Sequence, residues 1–208
     1  MKLTFNKTRF LALSFGFIIF TVIGTLSHEF GHYIVAKLLG YEAQIRYAYT
    51  SIRETPNQAT REYDNLLFIL GGPVQTIFTG ISGLVFLLLK RKAYQSAQEL
   101  SWNQWFWVFI TFFLSRQTAN LLSAIIPWFR LGYWPVSGGD EGNLDYYFDF
   151  PDGTILMSTG LISTVILIVV VFRFIPLKER FTFIMSGLIG CVSGFIIWMY
   201  WLGKMVLP

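Results

Sequence analysis

The chain has 208 residues, of which 54% are hydrophobic and only 13% charged, with 21 Phe and a mean hydropathy of +0.53; an average soluble domain is roughly 25% charged. A water-soluble fold of this size lacks the core to hide so much apolar surface, and a single Cys excludes a disulfide scaffold. The net charge of +4 fits loops on one side of a membrane better than nucleic-acid binding, and a polar outer-membrane barrel is excluded because its strands would alternate.

Apolar stretches at 10–40, 66–89, 102–128, 154–174 and 181–202 each reach the roughly 20 residues that a membrane-crossing helix needs. The first follows Lys2, Lys7 and Arg9 but shows no small-residue cleavage site, so it is expected to be a span and not a removed signal peptide. Its length implies that its last two turns tilt or emerge from the membrane. The second stops at Lys90-Arg91-Lys92, and the third opens on an aromatic belt of Trp102, Trp105 and Trp107. Between the first two spans, Ala43 to Tyr49 alternates polar and apolar residues and is rich in Tyr, which predicts a short strand or hairpin at the membrane surface, broken at Pro56-Asn57. A second long connection, 127–153, holds Gly138-Gly139-Asp140-Glu141-Gly142 and Pro151-Asp152-Gly153. The expected fold class is an all-α polytopic membrane protein, one domain over 1–208, with about five transmembrane helices.

With the N-terminus in the cytoplasm, the inner side holds nine Lys and Arg (Lys2, Lys7, Arg9, Lys90, Arg91, Lys92, Arg173, Lys178, Arg180). The outer side holds six (Lys37, Arg46, Arg53, Arg61, Arg130, Lys204), with Arg116 inside the third span. The bias places the N-terminus inside and the C-terminus outside.

The two histidines of the chain fall in His28-Glu29-Phe30-Gly31-His32, at the end of the first apolar helix. Residues i and i+4 share a helical face, so both imidazoles can reach one ion. Glu29, about 100° round the helix, is placed to act as a base beside the metal and not as a ligand. His and Glu are costly at membrane depth, which argues against a packing role alone. A catalytic zinc site usually has three protein ligands. Cys191 sits among apolar and small residues of the fifth span and reads as a packing residue, so the third ligand is expected to be a carboxylate. Asp140, whose Gly138 and Gly139 let the backbone approach the metal, is preferred over Asp152, which also reads as a helix cap, and over Glu141.

The sequence resembles the site-2 protease family of intramembrane zinc metalloproteases. The resemblance rests on His28-Glu29-Phe30-Gly31-His32 in a membrane helix, on Gly71-Gly72-Pro73-Val74-Gln75, where the family usually has Asn for Gln75, and on Asn120 followed by Pro127 and Gly-Gly-Asp. It covers roughly two-thirds of the chain and describes a minimal, divergent member. It implies Zn2+ held by His28, His32 and Asp140, Glu29 as the catalytic base, and a membrane-protein substrate cut within or near the lipid bilayer. Asn120 reads as a second catalytic residue that donates to the oxyanion or, equally, as the donor of an interhelical hydrogen bond. Members of the family place the metal near the cytoplasmic face, opposite to what the charge count gives. The other function classes weighed are a catalytically silent binding or chaperone protein of the same fold and a metal transporter. The first has no need of an intact Glu29, and the second would need polar groups in more spans than the third.

Overall fold

The computed structural model describes residues 5–53, 62–132 and 139–207; Pro56-Asn57 and Gly138 lie outside them. Helix α1 (Lys7–Leu38) starts earlier than the apolar run because Asn6 caps it, its side chain accepting the Arg9 N–H at 3.0 Å. Gly40, at φ +86, turns the chain out of the helix. Strands β1 (Glu42–Ile45) and β2 (Thr50–Arg53) then form an antiparallel hairpin, with Glu42 opposite Arg53 and Ile45 opposite Thr50. Helix α2 (Glu62–Leu89) is followed by the short α3 (Arg91–Ser96).

The third apolar stretch is not one uniform helix. It is α4 (Trp102–Thr111), a 3-10 turn at Phe112–Leu114, and α5 (Ser115–Leu131). The turn lies on the small face of α2: a Cβ on Gly83 would meet Thr111 N at 2.6 Å, and one on Gly80 would meet Leu114 Cγ at 2.5 Å. Nor does the helix stop at Pro127, where the sequence suggested a loop. It runs to Leu131, because the stop is set by Gly132, at φ +76 and with its N–H on Trp128 O at 2.9 Å.

Asp140 opens a short helix, α6 (Asp140–Tyr147), where the sequence suggested only a loop. Helix α7 (Thr154–Phe174) follows. Helix α8 (Leu177–Ile196) passes through a π turn (Ile197–Leu202) into α9 (Gly203–Val206). Polar residues are taken into the start of α8 because Glu179 is buried: it pairs with Arg9 at 3.1 Å and accepts the Leu100 N–H at 2.8 Å. That network ties the N-termini of α1, α4 and α8 together.

Among the described residues, five helical segments are long and apolar enough to cross a membrane. Helix α1 packs between α8 and α2, α4 leans on α2, and α7 covers α5. An aromatic core lies towards the N-terminal end of α1, where Trp105 stacks on Phe183 (5.2 Å between centroids) and Phe17 meets Phe109 edge-on (4.8 Å). The outer surface is apolar, with Phe78 and Leu89 about three-quarters exposed, a belt that water would penalise and lipid would not.

The α1–α8 contact depends on small residues. A Cβ on Gly190 would meet Phe17 Cβ at 2.5 Å and Ser14 O at 2.6 Å, whereas one on Gly24 has nothing within 4 Å. Gly190→Leu should therefore cost about 1–3 kcal/mol by overpacking, read as a lower thermal unfolding midpoint in detergent. Gly24→Ala should hold or raise that midpoint, since Ala is favoured over Gly in a helix by about 0.5–1 kcal/mol.

Candidate metal centre

His28, Glu29 and His32 are all buried, on the face of α1 that meets α2. The helices approach there because neither has a side chain in the way. A Cβ on Gly31 would collide with the Gly71 carbonyl, and one on Gly71 would meet Gly31 O at 2.7 Å. Pro73 has no N–H to offer the Ile69 carbonyl one turn earlier, and on the same turn of α2 Phe68 O takes the His32 Nδ1–H at 2.7 Å. His28 Nδ1 is paired with Thr76 Oγ1 at 2.9 Å. With both Nδ1 atoms engaged, both Nε2 atoms point to one spot. Such outer partners fix the tautomer and orientation of metal-binding imidazoles.

Asp140, at the first position of α6, completes that spot. Its Oδ2 lies 2.9 Å from His28 Nε2 and 3.4 Å from His32 Nε2, and the two Nε2 atoms are 3.2 Å apart. Donors bound to a tetrahedral zinc at 2.0–2.1 Å are about 3.3 Å from one another. The triangle therefore has the size for a small divalent ion, and the donor set of two imidazoles and a carboxylate suits zinc and its first-row neighbours. Room is kept by Gly72: a Cβ there would press on both Nε2 atoms. Burial works against charge on Asp140, but hydrogen bonds with His28 and His32 hold its carboxyl well below the usual carboxylate range.

The donor atoms of His28, Glu29 and His32 also lie within 4.8 Å of one another, which makes Glu29 a rival third ligand. The contacts favour Asp140, which touches both imidazoles, whereas Glu29 is held elsewhere. Thr50, opening β2, places its hydroxyl 3.2 Å from Glu29 Oε2 and 2.9 Å from the Glu29 carbonyl. Asp152 is exposed and contacts neither histidine. It is not the cap of α7 either. Asp145 does that work, accepting the Gly153 and Ile155 N–H groups at 2.9 Å each and so tying α6 to α7. Glu141 is buried and accepts Asn120 Nδ2 at 3.2 Å. Cys191 lies on α8 against a separate apolar cavity.

A cavity of about 360 Å3 opens at the triangle, with Glu29, His32, Asp140, Tyr49, Arg116 and Asn120 on its walls. The structure thus brings together His28, Glu29, His32 and Asp140, and sets Asn120 on the wall of the same cavity. Sequence reasoning did not single out Thr50, Thr76 as a histidine partner, or Asp145. Thr76 is four residues from Gly72 on the small face of α2, a signal that was present; nothing local marks Thr50 or Asp145. No protein-family model, curated protein or solved structure matches the chain.

Two substitutions test the centre. Thr76→Val should weaken metal binding by about 10–100-fold, the usual cost of losing an outer partner, with the fold kept. Gly72→Ala should abolish binding by placing a methyl against both ring nitrogens. Both are read by titrating zinc against a chromophoric chelator.

Proposed function

We propose that the chain is an intramembrane zinc endopeptidase that hydrolyses peptide bonds of membrane-spanning or membrane-proximal proteins. The observation that carries this reading is the meeting of Asp140, more than a hundred residues along the chain, with both histidines of the HExxH helix, beside a cavity that Glu29 lines. His28, His32 and Asp140 would hold the ion. Zinc there supplies a Lewis acid for the scissile carbonyl and a nucleophile available at neutral pH.

The remaining work falls to the chain's own groups. Thr50 engages Glu29 Oε2 and leaves Oε1 to take the proton of the attacking water and deliver it to the leaving amine. Asn120, steadied by Glu141 at 3.2 Å on the cavity wall, offers an amide donor to the developing oxyanion. The substrate must be extended at the cut, because a helix hides its amides in its own hydrogen bonds. The β1–β2 hairpin, whose Ala48, Tyr49 and Thr50 line the cavity, offers a backbone edge against which an extended segment can pair.

Glu29→Gln should retain one zinc per chain and lose cleavage of single-span test peptides in liposomes, followed by mass spectrometry. His32→Ala should lose the metal itself. Cleavage by Glu29→Gln at the wild-type rate would remove the mechanism.

The chain would lie across the cell membrane with its N-terminus in the cytoplasm, a reading supported by the nine-to-six distribution of Lys and Arg. In a Cys191→Ser background, Glu42→Cys on the exposed hairpin should react with an impermeant thiol reagent in intact cells. Gln95→Cys, after α2, should react only once the membrane is opened. The reverse pattern inverts the orientation and leaves the metal chemistry unchanged.

A further inference from the structure

A second cavity, of about 550 Å3, lies between α1, the α4–α5 segment and α8. Its walls are largely aromatic and aliphatic: Phe17, Phe20, Phe109, Phe112, Phe195 and Met199. Four of the hydroxyls on those walls are engaged, while Ser115 also lines the cavity. Thr21 donates to Phe17 O at 2.8 Å, Thr25 to Thr21 O at 3.0 Å and Ser123 to Asn120 O at 2.8 Å, while Thr76 is paired with His28. A peptide entering this space would find few partners for its amides along the aromatic walls, and each one left unmade is costly in general. An aliphatic chain would lose nothing.

One end of the cavity is different. Arg116, Asn120 and Ser123, on one face of α5, line both this cavity and the metal cavity. The Arg116 Nε is buried without a hydrogen-bond partner. Among the described residues no carboxylate forms an ion pair with it, and Glu141, on the shared wall, is taken by Asn120. A guanidinium left unpaired within an apolar span is costly, and its planar fork matches a carboxylate.

We propose that this cavity binds a single-chain fatty carboxylate, with its alkyl chain among the phenylalanines and its carboxylate on Arg116. At about 30 Å3 for a water-sized group, the cavity of about 550 Å3 has room for one long alkyl chain. The head would sit on the wall shared with the metal cavity, where it restricts access to Glu29. This site is separate from the peptidase reading and its test involves no turnover, so either can fail alone.

The experiment is photolabelling of the zinc-loaded protein in detergent with a diazirine-bearing palmitate, with labelled residues mapped by mass spectrometry. Labelling is expected on Phe109 to Phe113 and Val192 to Phe195. Free palmitate should compete, and methyl palmitate, with the same chain and no charge, should not. Arg116→Gln should weaken labelling about tenfold, the scale of one charge-assisted hydrogen bond, and Arg116→Lys should restore part of it. Gly24→Leu, whose Cβ position is open, should fill the cavity and abolish labelling while zinc content is kept. Equal competition by methyl palmitate, or label spread over outward residues such as Phe172 and Leu188, would overturn the proposal. So would displacement by lysophosphatidate or an apolar peptide when palmitate fails. The methyl ester comparison uses only the native protein and holds even if a variant does not fold.

Discussion

Where α1 crosses α2, Gly31 and Gly71 let two backbones touch: a Cβ on Gly71 would meet Gly31 O at 2.7 Å and His32 Cα at 3.0 Å. Helices in lipid gain no hydrophobic drive from meeting one another, so close backbone packing and interhelical hydrogen bonds must hold them. Both act here. The approach brings Phe68 O within 2.7 Å of His32 and Thr76 within 2.9 Å of His28, and it lets Gln75 Nε2 reach Ser27 Oγ. A helix pair one side chain farther apart would leave both imidazoles without their outer partners. The candidate metal centre is a consequence of how these helices close.

The same crossing explains why so many polar groups are tolerated in an apolar bundle. His28, Glu29, His32 and Thr76 are all buried, and each has a hydrogen-bond partner from another element. An unpaired polar group in such apolar surroundings costs several kcal/mol in general, so these pairings favour the closed bundle. Arg116 stands outside it with a buried, unpartnered Nε, which leaves binding capacity on the cavity wall.

Much of this was legible in the sequence for physical reasons. Apolar runs of about 20 residues mark membrane-length helices with little ambiguity. The spacing His28 to His32 fixes a shared face without any tertiary knowledge, and small residues at 187, 190 and 194 mark a packing face. Less legible was whatever depends on contacts far along the chain. Thr50 bonds a residue 21 positions earlier, and no local pattern separates it from Ser51. Asp145 and Asp152 are both acids just ahead of α7; only the geometry of the turn decides that Asp145 faces the free N–H groups. Pro127 suggested an end to the third span, but a proline only weakens a helix, whereas Gly132 gives the backbone a conformation in which to stop.

The last span, which bears no residue of the metal triangle, is nonetheless tied to it through the hairpin. Trp198 donates its indole N–H to Tyr47 O at 2.7 Å, and the Tyr47 N–H reaches Leu207 O at 3.0 Å. Gly203 lets that turn come close, since a Cβ there would meet Tyr47 Cβ at 3.0 Å. Lys204 adds its ammonium 5.9 Å from the Tyr47 ring. Tyr47 is three residues from Thr50, the residue that holds Glu29. A π turn widens the helix by one residue per bond, and the one at Ile197–Leu202 falls where the end of α8 meets the hairpin. An isolated two-stranded hairpin is marginally stable at best. This one is fixed at its turn by the C-terminal end of the bundle and at β2 by Glu29, so the contact that holds the Glu29 carboxylate is linked to the last helices of the bundle.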